Sequence, residues 1–361
     1  MKIVGVGDIM PGGILAGVDK GYVSQDVLAI LKDADIRVGT LETAIGDMPN
    51  FYEEKMKRQA DVIYAKDHDL IKLKHLSINI VSLANNHFFD LGPEGALHTI
   101  ELLDQMGIKH IGAGKNLEEA SAPVIIKKDG KTVAFLAFCD WRNETVGWCP
   151  FATDDKIGVN PMYDNHVVAE IKKYKARCDY VVVMPHWGKE HTWVTTPQVY
   201  RMARKMMKAG ADLILGSHPH RVQPVVNYKN ASVAYSMGNF LFPDRLLVKP
   251  RSTYYPEEPV ELSSLPVTDE YPYVEGLTYK KWKPLARVGM IVTAETEKGR
   301  IKSSYTLTHE GEDGVVMTHK DDGITDILKK RESRLKSCFY PQIVFVERYS
   351  SAVLRRLGLI K

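Results

Sequence analysis

Residues 179–223 read DYVVVMPHWGKEHTWVTTPQVYRMARKMMKAGADLILGSHPHRVQ, a pattern typical of one strand–helix–strand unit. One apolar run, residues 181–184, ends shortly before His186, and a second, residues 213–215, is followed by GSHPH at 216–220. Such runs, separated by an amphipathic segment, predict two parallel strands joined by a helix. Open α/β sheets bind ligands just beyond the carboxyl ends of their strands, and imidazole binds divalent transition metals. The unit therefore predicts an α/β protein with a metal site.

The same alternation of apolar runs and amphipathic segments extends along most of the chain. Strands are predicted over residues 2–6, 36–40, 78–82, 124–126, 133–138, 180–184, 213–215, 222–227 and 233–236. Helices are predicted over residues 25–32, 93–106, 165–175 and 197–209. Strands that alternate with helices of this length indicate crossover connections and a largely parallel sheet, so the predicted fold class is α/β.

The composition gives one large domain, residues 1–310, followed by a basic helical C-terminal extension, residues 311–361. Residues 243–284 are rich in Pro and Tyr and lack periodicity, so we interpret them as an insertion or lid over the core. Residues 287–295 and 301–307 resume strand-like alternation and are expected to return to the sheet. For the basic residues 324–361, packing of helices on the core is favoured over attachment to an anionic surface.

Composition and charge exclude several classes of protein. With 361 residues, 44% hydrophobic and 26% charged, the chain has the composition of a globular protein. A net charge of +3 and the lack of a nucleic-acid-binding motif argue against a nucleic-acid partner. The four cysteines form no C-x-x-C and are expected to be reduced. Without a signal peptide or a long apolar run, we expect a cytoplasmic protein with no transmembrane segment, although peripheral membrane contact remains an alternative.

Two carboxylates and an Asn-His pair follow the first three predicted strands. Asp8 lies in VGVGDIM (4–10) and Glu42 in RVGTLET (37–43), where each could also be an ordinary capping or exposed residue. Asn86 and His87 lie in SLANNHFFDLG (82–92), with Asp90 three residues beyond His87. An Asn side chain can supply a neutral oxygen ligand. A His can act as an acid if a carboxylate orients its ring and raises its pKa.

The candidate residues form one set because all of them follow strands. The set is Asp8, Glu42, Asn86, His87, His186, His218 and His220. Oxygen and nitrogen ligands without a thiolate favour one or two divalent ions of the Mn, Fe or Zn type. Two ions about 4 Å apart can activate a bridging water and stabilise both oxygens of an in-line displacement. The role of His191 is left undecided.

The sequence resembles the capsule-synthesis CapA family of the poly-γ-glutamate biosynthesis type, within the calcineurin-like metallophosphatase superfamily. The resemblance spans about residues 1–242 and depends on an ordered set of motifs. These are GDIMPGG (7–13), LE (41–42), SLANNHFFDLG (82–92), HWGKE (186–190), GADLILGSHPHRVQ (210–223) and YSMGNFLF (235–242). It implies a four-layer α/β/β/α sandwich of metallophosphatase type with metals at the strand ends.

The resemblance also implies a role for each candidate residue. Glu42 resembles a carboxylate that bridges two ions. Asp8 and His220 resemble ligands of the first ion. The residues that resemble ligands of the second ion are Asn86, His186 and His218. His87, oriented by Asp90, resembles the acid that protonates a leaving oxygen. There are two departures: the superfamily pattern D-x-H ends here in Met10, which weakens the first site, and Thr40 stands where the family usually has Asn, so that a hydroxyl replaces a supporting amide. The expected occupancy is therefore one or two ions.

Three functions follow from this set. The first is a metal-dependent hydrolase of a phosphoester or a related bond, associated with the synthesis of a capsule or poly-γ-glutamate type polymer. Arg142, Lys189 and Arg221 are near the motifs and could bind an anionic small molecule or polymer, or could be surface charges. The second is a non-catalytic polymer-binding or assembly component of capsule synthesis, in contact with its machinery. The third is a scaffold that retains the fold alone.

Overall fold

The computed structural model describes residues 1–47, 55, 57, 61–140, 149–270, 273–297, 299–337 and 339–344. The strands are β1 (Lys2–Ile9), β2 (Ile36–Leu41), β3 (Ala44–Ile45), β4 (Tyr64–Ala65), β5 (Ile80–Ser82), β6 (Lys109–Ile111), β7 (Ala113–Gly114), β8 (Val124–Lys128), β9 (Lys131–Cys139), β10 (Gly158–Val159), β11 (Tyr180–His186), β12 (Leu213–Leu215), β13 (Val222–Asn227), β14 (Ser232–Met237), β15 (Asn239–Leu241), β16 (Arg245–Val248), β17 (Ser252–Tyr254), β18 (Val267–Thr268), β19 (Thr278–Lys280), β20 (Val288–Glu297), β21 (Arg300–Glu310) and β22 (Val316–Thr318). The α-helices are α1 (Gln25–Lys32), α2 (Ile71–His75), α3 (Gly92–Gln105), α4 (Leu117–Ser121), α5 (Asp164–Lys175), α6 (Pro197–Ala209) and α7 (Asp322–Leu335).

The first sheet has the amino-terminal strand near its centre. Its strand order is β22-β21-β20-β1-β2-β5-β6, and β15 also pairs with β1. Strands β1, β2, β5 and β6 run parallel, whereas β20, β21 and β22 pair antiparallel. Strand β1 is buried along nearly its whole length, because a sheet covered on both faces needs continuous apolar runs. The parallel strands therefore end together, at the edge where Asp8 lies.

The second sheet carries the two strands of the unit at residues 179–223. Its order is β13-β14-β12-β11-β9-β8, with β9, β11, β12 and β14 parallel. Alternate residues of β11 face opposite sides, as the pleat of a strand requires. Val181 and Val183 pack with residues of α5 and α6, while Val182 and Met184 pack into the core between the sheets. Both faces of this sheet are thus buried.

The two sheets pack face to face, with helices on the outside. A Cβ atom added to Gly5 of β1 would lie 2.8 Å from Leu215 Cδ1 of β12, so the sheets approach closely there. Helices α1 and α3 bury Val27 and Leu103 in the core cluster of the first sheet. Helices α5 and α6 cover the second sheet. The result is the expected four-layer α/β/β/α sandwich.

The predicted elements coincide with observed ones to within a few residues, including the return of residues 287–295 and 301–307 as β20 and β21. The insertion at 243–284 forms a small sheet of its own, in the order β17-β16-β19-β18. Asp244 ties this insertion to the body, because its carboxylate accepts hydrogen bonds from Arg287 Nη2 and Tyr279 Oη. Whether the segment acts as a lid stays a prediction, as does the division into residues 1–310 and 311–361.

Helix α7 begins the basic C-terminal region and packs its apolar face against the body. It buries Ile324, Leu328 and Leu335, and its backbone at Leu335 accepts a hydrogen bond from Tyr228 Oη at 3.3 Å. Residues 345–361, the end of the predicted helical extension, lie outside the described residues. Each helix within the described ranges is too short or too polar to cross a membrane.

Replacing Leu215 tests the packing between the sheets. Leu215 is fully buried, so Leu215→Ala should lower the free energy of unfolding by about 3 kcal/mol through lost burial and a residual cavity. The control is Leu97→Ala, since Leu97 lies on α3 and is 37% exposed; it should cost less than about 1 kcal/mol. Urea unfolding followed by circular dichroism measures both. Equal losses would contradict this packing.

Candidate metal centre

Side chains with oxygen and nitrogen ligands meet where parallel strands of both sheets end. The first sheet supplies Asp8 on β1, Glu42 directly after β2 and Asn86 shortly after β5. The second sheet supplies His186, the last residue of β11, together with His218 and His220 in the loop after β12. All six residues are at most 3% exposed. The centre thus lies between the sheets, with oxygen ligands on one side and imidazoles on the other.

One ligand group consists of Glu42, His186 and His218, whose ligand atoms lie within 4.8 Å of one another. His186 Nε2 lies 3.0 Å from His218 Nδ1 and 3.3 Å from Glu42 Oε1. Asn86 Oδ1 is 2.7 Å from the same nitrogen and adds an amide oxygen. Ser217 Oγ contacts His186 Nδ1 at 2.9 Å. This contact holds the far side of the ring and leaves Nε2 directed at the group.

A second ligand group consists of Asp8, Glu42 and His220, again with ligand atoms within 4.8 Å of one another. His220 Nδ1 lies 3.7 Å from Asp8 Oδ2, and His220 Nε2 lies 3.7 Å from Glu42 Oε1. Glu42 is therefore common to both groups. A carboxylate between two sets of ligands is the arrangement that suits two neighbouring ions.

The loop that carries His218 and His220 has an unusual backbone. The two residues have φ values of 94° and 48°, in the left-handed region that non-glycine residues rarely adopt. Such conformations cost about 1–3 kcal/mol each and persist where the surroundings hold them. Here the His218 backbone N–H donates to Asp8 Oδ2 at 3.3 Å. The strain therefore lies at the residues that face the carboxylates.

The charge states at the centre fit a divalent cation. Asp8 Oδ1 and both carboxylate oxygens of Glu42 are buried and accept no hydrogen bond from the described residues. Burial, and then neighbouring carboxylates, raise the pKa of both acids well above the usual range. Burial lowers the pKa of His186 to about 3 and puts the pKa of His218 and of His220 well below the usual range. The three rings are thus neutral and keep a lone pair, and a bound cation would satisfy the buried oxygens.

His87 and Asp90 lie beside the centre, with His87 Nδ1 2.7 Å from Asp90 Oδ2. Lys55, which the sequence analysis did not identify, forms a buried ion pair with Asp90 Oδ1, and its Nζ lies 3.3 Å from His87 Nδ1. The expectation that a carboxylate raises the His87 pKa is wrong. Burial and then the Lys55 charge lower that pKa well below its usual range, while burial raises the pKa of Asp90 to about 6. His87 is therefore a neutral ring.

The residues predicted to bind a substrate anion are in three different situations. Arg142 lies outside the described residues, and Lys189 is exposed. Arg221 is only 5% exposed, and its Nη1 donates to the His220 carbonyl at 2.8 Å. Arg221 thus supports the backbone of the loop that carries His218 and His220.

Met10 stands where the superfamily pattern has His. It is buried, and its Sδ accepts a hydrogen bond from the Gly12 N–H at 3.3 Å.

Three further residues near the centre could not be identified from the sequence alone. Lys55 belongs to a stretch without periodicity, and it reaches Asp90 only in the folded chain. Asn239 lies in the quoted motif YSMGNFLF, but its contact with His220 depends on the pairing of β15 with β1. The Trp282 ring lies 5.2 Å from the His220 ring, between centroids, although Trp282 belongs to the proline-rich insertion and lies 62 residues further along the chain. Each contact joins distant parts of the chain.

Fold and site together define a four-layer α/β protein with a candidate two-ion centre of carboxylate, amide and imidazole ligands. The chain belongs to the family described as bacterial capsule synthesis protein PGA_cap, whose sequence model matches residues 2–244. The matched region contains all six candidate ligands as well as His87 and Asp90. The centre is therefore part of the family's common region.

The capsule biosynthesis protein CapA of Bacillus anthracis is 29% identical over 329 residues, which cover 88% of this chain and 75% of the relative. The PGA biosynthesis protein CapA of Bacillus subtilis strain 168 is 32% identical over 244 residues, 66% of this chain and 62% of the relative. Among solved structures, the calcineurin-like phosphoesterase YfkN from Bacillus subtilis aligns with a TM-score of 0.44 and 15% identity, over 93% of this chain and 97% of that protein.

The raised carboxyl pKa values predict how the stability of the metal-free protein depends on pH. In the unfolded chain, Asp8 and Glu42 lose their protons above about pH 4, whereas in the folded protein their raised pKa values let them keep those protons. The free energy of unfolding should therefore fall as the pH rises from about 4 towards the raised pKa values. Glu42→Gln removes one of these acids. At neutral pH and in chelator, it should therefore unfold at a higher temperature than the wild type.

Thermal unfolding between about pH 3 and pH 8 measures this difference, which should vanish at the acid end where both acids are protonated. The exposed Glu258 provides the control, since Glu258→Gln should follow the wild-type profile. A Glu42→Gln variant that is less stable than wild type at neutral pH in chelator would contradict the burial argument.

Proposed function

We propose that this chain is a metal-dependent hydrolase that cleaves a phosphoester, or a related ester or amide, during the synthesis of a capsule polymer. The observation that carries the proposal is that Glu42, buried and without hydrogen-bond donors among the described residues, is shared by two ligand groups. Divalent ions held there would stabilise negative charge on a reacting group and lower the pKa of coordinated water. The ligand types favour Mn, Fe or Zn.

His87 is the proposed acid–base residue at the leaving group: its neutral ring would first take up a proton on Nε2 and then pass it to the leaving oxygen. Its Nδ1 is occupied by Asp90 at 2.7 Å, so the other ring nitrogen, Nε2, is the atom that can exchange a proton with a substrate. The His87 side chain is 9% exposed, while Asp90 is fully buried. Asp90 therefore orients the ring rather than contacting a substrate. Lys55 neutralises the Asp90 carboxylate in this buried place.

The polymer context comes from the relatives, whose names refer to capsule biosynthesis in Bacillus anthracis and to PGA biosynthesis in Bacillus subtilis. Membership of the capsule synthesis family makes an acidic polymer or one of its precursors the proposed substrate class for this chain. Exposed cations near the motifs, such as Lys189, would attract such an anion. Contact with the capsule machinery is part of the same proposal.

Removing an imidazole from the centre should abolish metal retention and turnover together. His186→Ala and His218→Ala each delete a ligand from the group that contains Glu42, and loss of a ligand in such a site lowers metal affinity by at least about 10-fold. The control is His68→Ala, because the His68 side chain is 54% exposed and outside both groups. Metal content by mass spectrometry and Mn²⁺-dependent hydrolysis of p-nitrophenyl phosphate and bis(p-nitrophenyl) phosphate are the measurements. Hydrolysis unaffected by both substitutions would overturn the proposed role of the metal.

A second candidate function is non-catalytic binding of an acidic polymer. A cavity of about 600 Å³ has Trp282 in its wall, and the Trp282 ring lies 5.2 Å from the ring of His220, between centroids. Lys281, Lys283 and Arg287 line this cavity, against the acidic Asp269 and Glu312. Lys281 and Lys283 are partly exposed in their ion pairs, so they can exchange those partners for polymer carboxylates. Such a cavity suits an acidic polymer that is longer than the group bound at the metal centre.

Charge reversal in the cavity separates the two functions. Lys283→Glu should weaken the binding of poly-γ-glutamate several-fold, because it replaces an attractive charge with a repulsive one. Lys302→Glu makes the same change in net charge at a residue with 70% side-chain exposure outside the cavity wall, and should bind nearly as the wild type does. Fluorescence anisotropy with labelled polymer, repeated after chelator treatment, measures both. Polymer binding that survives metal removal, in a protein without turnover, would favour the binding function.

A further inference from the structure

His220 provides the nitrogen ligand of the group that contains Asp8 and Glu42. The other group has two imidazoles, His186 and His218, and an amide oxygen from Asn86. The group of Asp8, Glu42 and His220 therefore depends more strongly on the orientation of a single ring. A neutral imidazole presents a lone pair on only one of its two nitrogens, so the position of the ring proton decides which nitrogen can bind an ion.

Asn239 contacts that ring at Nδ1, which also lies 3.7 Å from Asp8 Oδ2, whereas the other nitrogen, Nε2, lies 3.7 Å from Glu42 Oε1. His220 Nδ1 lies 2.8 Å from Asn239 Oδ1, and Asn239 itself is 2% exposed. On the other side of the carboxamide, Asn239 Nδ2 donates to the Ala286 carbonyl oxygen at 3.1 Å. A backbone carbonyl only accepts hydrogen bonds, so the amide nitrogen must face Ala286 and the amide oxygen must face His220.

The amide orientation fixes the tautomer of His220. An amide oxygen cannot donate, so the short contact requires the proton to be on Nδ1. The lone pair of the neutral ring is then on Nε2, the nitrogen 3.7 Å from Glu42 Oε1. Packing of a tilted Trp282 ring and an edge-on Phe242 ring, with centroids 5.2 and 5.6 Å from that of His220, limits rotation of the imidazole. Metal-binding histidines commonly have their second nitrogen held in this way.

The strand pairing places Asn239 directly beside Asp8. Strand β15 pairs in parallel with β1, and Asp8 and Asn239 are direct Cα partners in that pairing. The Asp8 backbone N–H also donates to the Gly238 carbonyl at 3.0 Å. A Cβ atom on Gly289 would lie 1.8 Å from the Asn239 carbonyl oxygen, so β20 approaches the same residue closely. Asn239 is thus held by strands on both sides.

We propose that Asn239 is a positioning residue for the metal centre: it holds His220 in the Nδ1–H tautomer and directs Nε2 to the ion shared by Asp8 and Glu42. The proposal rests on the proposed metal site but not on hydrolysis. Asn239 acts through His220 and needs no contact with the ion or a substrate.

The tautomer can be measured directly in the metal-free wild-type protein. Two-dimensional ¹H–¹⁵N spectra of the imidazole rings, with His220→Gln to assign the signals, should show His220 protonated on Nδ1 and unprotonated on Nε2. The Nε2–H tautomer in the wild type would overturn the proposal. This measurement does not require bound metal or turnover, so it remains decisive even if the proposed hydrolase activity fails.

Variants of Asn239 test the consequence for metal binding. Asn239→Leu removes the acceptor, and the Mn²⁺ affinity of the centre, measured by titration calorimetry, should fall by about 10–100-fold. Asn239→Asp keeps an acceptor oxygen facing Nδ1 but loses the N–H that donates to the Ala286 carbonyl, so its affinity should lie between that of the wild type and that of Asn239→Leu. Asn227→Leu is the control, because Asn227 on β13 also bridges two backbone groups, the N–H and the carbonyl of Ser303 on β21, between the two sheets and outside the centre.

The two variants together separate positioning from general stability. If Asn239→Leu fails to fold, as judged by circular dichroism, then the wild-type tautomer decides the question. An affinity of Asn239→Asp no higher than that of folded Asn239→Leu, an unchanged affinity in folded Asn239→Leu, or the Nε2–H tautomer in the wild type would overturn the proposal. An intermediate affinity in Asn239→Asp with a larger loss in Asn239→Leu supports it.

Discussion

Two buried carboxylic acids with a single hydrogen-bond donor between them are the constraint on which this structure depends, among the residues that the structure describes. Asp8 and Glu42 are fully buried, and three of their four oxygens accept no hydrogen bond from the described residues. Desolvating a carboxylate costs several kcal/mol unless a partner compensates, so such a pair persists only where the surrounding fold is stable. The closely packed double sheet provides that stability. The same burial would strengthen the attraction of the two carboxylates for a cation, because water does not screen them.

The arrangement of the two sheets explains why oxygen and nitrogen ligands lie on opposite sides of the centre. Parallel strands of the first sheet end in Asp8, Glu42 and Asn86, and those of the second end in three histidines. Neither sheet has a complete ligand set alone. Assembly of the sandwich therefore creates the metal site, and metal binding should couple to the packing between the sheets because the ion binds only the assembled state.

Residues 243–284 contribute to this centre although they come late in the chain. The Asp244 carboxylate accepts from Arg287 Nη2 and from the Trp282 backbone N–H, at 2.8 Å to Oδ1 in each case. These bonds place the Trp282 ring against His220 and leave its other side on the adjoining cavity. The insertion thus forms a wall beside the ligands and links the metal centre to the surface proposed to bind polymer. Its small sheet gives that wall a defined position.

The sequence alone determined the α/β class, the order of the main strands and the set of six candidate ligands. It could do so because periodicity is local and because the carboxyl ends of parallel strands share one edge. Only the tertiary structure decided how the ligands divide into two groups, since Glu42 meets His186 and His220 across the sheet interface. It also decided the neutral state of His87, because burial and then the charge of Lys55, which reaches Asp90 through the fold, lower the His87 pKa. The Asn239 contact is of the same kind: it follows from the pairing of β15 with β1, and pairing between distant strands depends on the whole core rather than on local sequence.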